Sequence, residues 1–410
     1  MAGRRTPLLG VLGLLVAAAP VLATAAPAAA DQQCTYGTTA YVPKLSAALT
    51  SLSFPQTWRV SRGRGVTVAV VDSGVSAANA HFQGALVGGK SFTSRPATTD
   101  DQGHGTAVAG IIGARYVDGS GMVGGAFESS IMPVRVYDLE GDNAAANALP
   151  PSTDRLAEGI RWATDHGAGV INVSISTGAS DGQLPTLRSA VRHAIASNVV
   201  VVASSGDAKG SPVTQDRYPA AFPGVISVAA TDPDGVVDDY SVHAPSVDVA
   251  APGQGVLTTF FGNGDCVVGQ QPETSWAAPY VSALAAQLKA RFPDETVEEL
   301  TYRIEATAQR PVQSERDDEQ GWGLIQPYDA LTMTFDPNRE GPPFPGSKGE
   351  DKSDPGPTSP VHALGAEADP RGPVRSAAGW WLLAGTGVVA LAGVLRPLAR
   401  TAAARRTSRP

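Results

Sequence analysis

Five short apolar runs recur through the middle of the chain: VTVAVV at 66–71, IMPVRV at 131–136, GVINVSI at 169–175, VVVVAS at 199–204 and GVISVAA at 224–230. Each is too short for a core helix, and none alternates apolar with polar. The pattern predicts strands buried on both faces, as in a parallel sheet. Segments with helical spacing lie between them, at 154–166 and 187–197. A longer one runs from Ser275 to about residue 292, and another is expected from Asp294, a suitable N-cap. This alternation predicts an α/β fold, a doubly wound parallel sheet flanked by helices. Its site is expected at the carboxyl ends of the strands.

The two ends read differently. Arg4 and Arg5 precede an apolar run from Pro7 to Ala19 and then small residues ending at Ala30. That is the layout of a secretory signal, with cleavage expected after Ala30. Residues 377–395, AAGWWLLAGTGVVALAGVL, are nineteen positions without a charge. They suffice to span a hydrocarbon core, with Trp380 and Trp381 in the interfacial belt. Arg396, Arg400, Arg405, Arg406 and Arg409 follow, which predicts a cytoplasmic tail and a single-pass type I topology in the cell membrane. Residues 336–376 are rich in Pro, Gly and charge, and read as a tether without a core. The expected organisation is a signal at 1–30, an arm at 31–55 and a globular body at 56–335. The tether at 336–376, a transmembrane helix at 377–395 and a basic tail at 396–410 complete it.

Composition narrows the partners. The chain has 410 residues, 42% hydrophobic and 17% charged, with 45 Gly and 32 Pro, which suits a turn-rich globular body. The net charge is −8; without the seven terminal arginines, 24 basic residues face 39 acidic ones, a balance of −15. Such a body repels phosphate backbones, which argues against nucleic acid as a partner. Two cysteines, Cys34 and Cys266, exclude a four-cysteine zinc site. In an exported protein they are candidates for one disulfide.

Three places carry chemistry. VTVAVV runs into Asp72, a carboxylate at the rim of the predicted sheet. His104 lies between glycines and opens a small-residue helix, so its imidazole can face a cleft. Ser275 starts the long helix, where unpaired N–H groups favour developing negative charge. Pro279 is expected to be tolerated there as a first-turn residue. Singly, these are an ordinary turn, a structural His and a cap. Together, in the order Asp, His, Ser, they form one of the convergent acyl-transfer triads. Gly178 to Gly182 also spells G-x-S-x-G around Ser180, but Ser176, Thr177 and Pro185 do not fit a nucleophile elbow. A surface turn is expected there instead.

VTVAVVDSGV, DQGHGTAVAGIIGA, VVVVASSGD, YPAAFPGVISVAATD and TSWAAPYVSA resemble successive blocks of the subtilisin family of serine proteases, over roughly residues 56–332. The signal, short Cys-bearing arm, Pro-rich tether and single C-terminal helix resemble the mycosins. Those are membrane-anchored subtilases associated with type VII secretion. The resemblance implies that Asp72 orients the imidazole, His104 is general base and acid, and Ser275 is the nucleophile. It also implies that Ser174, Ile175 and Ser176, with Ser204, Ser205 and Gly206, hold the substrate chain as an added strand and border its P1 pocket. The implied substrate is a polypeptide; the sequence assigns no cofactor and no metal ligand, and does not give calcium sites.

The resemblance has gaps. The family's oxyanion Asn falls on Asp207, its Gly before Thr-Ser is Glu273, and Trp276 replaces the usual Met or Phe. Two acids near an oxyanion hole leave open a catalytically impaired pseudo-protease serving a secretion complex. Were Asp207 to donate as a neutral acid beside a neutral His104, turnover would be slow and confined to a narrow, mildly acidic window. The arm at 31–55 is too short for a folded inhibitory prodomain, so no maturation beyond signal removal is expected.

Overall fold

The computed structural model describes residues 37–138, 149–178, 184–208, 214–237 and 239–346. The signal segment, Cys34, Ser180, most of the tether and the apolar run at 377–395 lie outside them. Among the described residues no helix is long and apolar enough to cross a membrane.

Each of the five apolar runs forms a strand: β1 (Thr67–Asp72), β3 (Ser130–Arg135), β4 (Val170–Val173), β5 (Val200–Ser204) and β6 (Val225–Thr231). Two short strands escaped the pattern, β2 (Lys90–Ser91) and β7 (Val249–Pro252). Together they make a seven-stranded parallel sheet in the order β2-β3-β1-β4-β5-β6-β7. An antiparallel hairpin, β8 (Val256–Thr259) and β9 (Asp265–Val268), stands apart from it. The helices are α1 (Ala47–Ser51), α2 (Phe54–Thr57), α3 (His104–Gly113), α4 (Thr153–Asp165) and α5 (Pro185–Ala196). After the hairpin come α6 (Thr274–Arg291), α7 (Val297–Thr307) and α8 (Pro327–Thr332).

The strands are apolar throughout because both faces are covered. Val68 and Val70 of β1 join one core with residues of α3 and α6, whereas Ala69 and Val71 join a second with residues of α4 and α5. Val200 and Val202 of β5 divide from Val201 and Ala203 in the same way. The strand order turns around β1, and Asp72 is the last residue of that strand. The crevice at such a reversal is where open α/β sheets bind ligands.

Two local expectations need correcting. The cap of α7 is Thr296, not Asp294: Thr296 Oγ1 accepts from Glu299 N, and the Glu299 carboxylate accepts from Thr296 N, a reciprocal capping box. Pro279 is the sixth residue of α6, beyond the first turn. Its missing N–H leaves the Ser275 carbonyl without a helical donor, and Ser174 Oγ donates to that carbonyl at 2.9 Å. The proline thereby ties the head of α6 to the end of β4.

Packing extends past residue 335 at the C-terminal side. Phe344 meets Tyr302 and Phe335 with ring centroids 5.5 and 5.9 Å apart, and Arg339 Nε donates to Ala306 O at 3.1 Å. On the N-terminal side Ala40 N donates to Asn263 O at 3.0 Å and Asp265 N to Ala40 O at 2.8 Å, so the chain at 40–42 lies along the β8–β9 turn.

Candidate active site

Asp72 is fully buried, and its Oδ1 accepts from Ser73 N at 2.7 Å and from His104 Nδ1 at 2.8 Å. With Nδ1 committed as donor, Nε2 is the nitrogen left to take a proton. His104 stands at the start of α3 because Asp100 caps that helix. Asp100 Oδ1 accepts from Gly103 N at 2.9 Å and Ser73 Oγ at 2.9 Å, and Oδ2 accepts from Thr106 N at 2.8 Å. Gly103 itself adopts φ 77°, a left-handed turn that favours glycine. The close fit continues at Gly110, where a Cβ would meet Thr259 Oγ1 at 2.4 Å.

The imidazole titrates above its ordinary value. Burial alone lowers it, but the charge and hydrogen bond of Asp72 outweigh burial, and Asp100 and Glu273 add to the rise. Trp276 packs on the same ring, centroids 4.9 Å apart, with its Nε1 donating to Glu273 Oε2 at 2.5 Å. That contact sets the first turn of α6 beside His104. Ser275, second residue of α6 and half-buried, donates from Oγ to Ser174 O at 3.1 Å. As an early helical residue it also has an N–H without an intrahelical acceptor. The structure thus gathers Asp72, His104 and the head of α6 into one cleft.

Asp207 also reaches that helix. Its Oδ1 accepts from Thr274 N and from Thr274 Oγ1, both at 2.9 Å. The phenol of Tyr240 titrates above its usual range through burial first and then the charges of Glu273 and Asp207. Ser174 to Ser176 continue from β4, and Ser204 to Gly206 end β5 one strand away. Ile175, Ser176 and Thr177 line a cavity of about 570 Å³ with Val136 and Leu156. Cys266 sits buried on β9, and no described cysteine is free. Among the described residues no three His, Cys, Asp or Glu side chains cluster as a metal site.

Sequence reasoning missed Tyr137. Buried just past β3, it donates from Oη to Asp72 Oδ1 at 3.1 Å. Burial and the charges of Asp72 and Asp100 hold this phenol well above its usual range, so it remains a donor. The available signal was a hydroxyl-bearing residue just beyond IMPVRV, on the strand next to β1. Tyr137→Phe removes a hydrogen-bond donor that shares the charge of a buried carboxylate, so more of that charge faces the imidazolium and stabilises it further. The expected result is a loss of about tenfold in kcat/KM and an acid limb moved to higher pH. Activity measured across pH separates this from a packing defect, which would lower the melting temperature and leave the limb in place.

Residues 63–323 match the model of the subtilase family. The chain belongs to that family. Among curated relatives of this subtilase, the thermostable alkaline protease of Halalkalibacterium halodurans is 34% identical over 247 residues, 60% of this chain and 63% of that protein. Thermitase of Thermoactinomyces vulgaris is 34% identical over 238 residues, 58% of this chain and 79% of thermitase. The subtilase spans less than two thirds of several relatives, including 40% of the minor extracellular protease Epr of Bacillus subtilis. Its structural neighbours include mycosins. The crystal structure of MycP1 from Mycobacterium smegmatis aligns with a TM-score of 0.64 at 26% identity, covering 76% of this chain and 92% of that one. MycP3 of the type VII (ESX-3) secretion system aligns with a TM-score of 0.63 at 27% identity, covering 74% and 93%.

Proposed function

We propose that the subtilase is a membrane-anchored, extracytoplasmic serine endopeptidase of mycosin type, acting on polypeptides in association with type VII secretion. The observation that carries this reading is the Asp72–His104 hydrogen bond beside the head of α6, where Ser275 stands. In this mechanism Ser275 Oγ exchanges the Ser174 carbonyl for His104 Nε2, gives up its proton and attacks the peptide carbonyl. Asp72 stabilises the imidazolium, which then protonates the leaving amine. Water, activated by the same imidazole, releases the acyl group. The Ser275 N–H supports the tetrahedral oxyanion, and the side chain at 207 is the second group near it. The signal-like segment 1–30 and the apolar run 377–395 support export and anchoring. The pairing of Ala40 with Gly264, near Cys266 in sequence, supports a Cys34–Cys266 bridge holding the arm to the hairpin.

A second reading, an impaired pseudo-protease in a secretion complex, is favoured by Asp207 and Glu273 alone. Labelling of the full chain with a fluorophosphonate separates the two. The expected result is one adduct, on Ser275, lost in Ser275→Ala and retained in Ser180→Ala. An unlabelled, folded chain would establish the second reading.

A further inference from the structure

Arg217 has no part in the triad, yet it lies between the two substrate edges. The Thr177–Tyr218 pairing, with N–O distances of 3.0 and 2.9 Å, fixes its backbone beside the segment that follows β4. Its stem runs along Gly206: a Cβ on that glycine would stand 2.8 Å from Arg217 Cγ and 2.9 Å from Ser176 Oγ. Its guanidinium reaches Gly178, where a Cβ would stand 2.7 Å from Nη1. Two glycines, one on each edge, are therefore what make room for this side chain. The space it crosses is the one bordered by Ser174–Ser176 and Ser204–Gly206.

Arg217 is half-buried, and among the described residues no carboxylate or carbonyl accepts from its guanidinium. Its neighbour Asp216 instead accepts from Ser246 Oγ at 2.9 Å. This sets Arg217 apart from Arg303, Arg135 and Arg310. Arg303 is paired with Glu295, Arg135 with Asp138, and Arg310 donates to the carbonyls of Ala308 and Trp322. A planar fork of donors at a substrate edge, to which no described carboxylate or carbonyl is joined, is complementary to a carboxylate from outside.

We propose that Arg217 is a specificity-determining residue that selects substrates with a carboxylate side chain at P1, glutamate or aspartate. The assignment rests on the protease reading of the cleft and adds the substrate class to it. A neutral P1 side chain leaves the guanidinium unpaired, and a basic one meets it with like charge.

The test compares peptides that differ only at P1, carrying Glu, Gln, Ala, Leu or Lys, with the full chain. A half-buried charge pair is expected to favour Glu over Gln by about tenfold in kcat/KM. That advantage should shrink as salt rises. Arg217→Gln should equalise Glu and Gln, and Arg217→Glu should invert the order in favour of Lys. The same ranking is read without turnover from calorimetric binding of intact peptides to Ser275→Ala, where Glu should again exceed Gln and the added Arg217→Gln should abolish the difference. Equal binding of Glu and Gln, or a preference for Ala that survives Arg217→Gln, would show that the arginine only fills the pocket. Absence of both labelling and hydrolysis overturns the protease reading, and the binding experiment still decides the role of Arg217.

Discussion

Asp72→Asn is expected to lower kcat by about 10⁴ while leaving the fold intact. Asp72 Oδ1 is the point on which Ser73 N, His104 Nδ1 and Tyr137 Oη converge. An asparagine can keep those contacts only through its carbonyl oxygen, which carries no full charge to balance the imidazolium formed when Ser275 is deprotonated. If its amide turns the other way, it offers N–H to Nδ1 and selects the tautomer with the proton on Nε2. That nitrogen then has no lone pair for the Ser275 proton. Both orientations fail, for different reasons. The pH dependence gives the sign. Asp72 is the chief cause that raises His104, so its neutralisation lets burial lower the imidazole. The acid limb of the residual activity should move to lower pH, opposite to the shift expected for Tyr137→Phe. Peptide hydrolysis across pH, with a melting curve on the same sample, checks both. A loss below about tenfold, or a limb that stays in place, would remove Asp72 from the role of orienting carboxylate.

The sheet was legible where strands are buried on both faces, because continuous apolar runs leave a signal that needs no partner. The two-residue β2 leaves no run, and VAAP of β7 is a strand only because β6 pairs with it. Asp72, His104 and Ser275 were legible because the glycines and small residues around them are local in sequence. Tyr137 and Arg217 were not, since each acts across the fold: Tyr137 on a carboxylate one strand away, Arg217 between the ends of two strands. A lone tyrosine after an apolar run, or a lone arginine in a polar stretch, carries no local mark of that role. The T-x-x-E of Thr296 and Glu299 was present in the sequence but competed with Asp294, another plausible cap. The boundary at 335 followed Pro, Gly and charge content, whereas the domain continues to where Phe344 closes an aromatic cluster on α7.

Asp207→Asn is expected to raise kcat by about 10²-fold, the reverse of the loss seen when an oxyanion donor is removed. Two bonds of 2.9 Å from Thr274 N and Thr274 Oγ1 fix one carboxylate oxygen as an acceptor. An asparagine can place its carbonyl oxygen on the same donors, which puts its amide where the second carboxylate oxygen stands. A source of negative charge becomes an N–H donor, with no new contact required. The pH argument changes as well. A neutral Asp207 acting as donor needs acidic solution, while His104 must lose its proton to act as base. Because its titration lies above the ordinary 6.5, that base becomes available only at higher pH. The mildly acidic window expected from an unperturbed imidazole therefore closes, and the native chain should be slow at every pH. In Asp207→Asn one constraint disappears, and activity should climb along a single limb as His104 deprotonates. Asp207→Ala is the control: it loses the Thr274 bonds, costs about 1 kcal/mol as a lost cap, and supplies no donor. Steady-state hydrolysis by the three proteins across pH decides the matter. Equal or lower kcat in Asp207→Asn would mean that this carboxylate only caps α6 and takes no part beside the oxyanion.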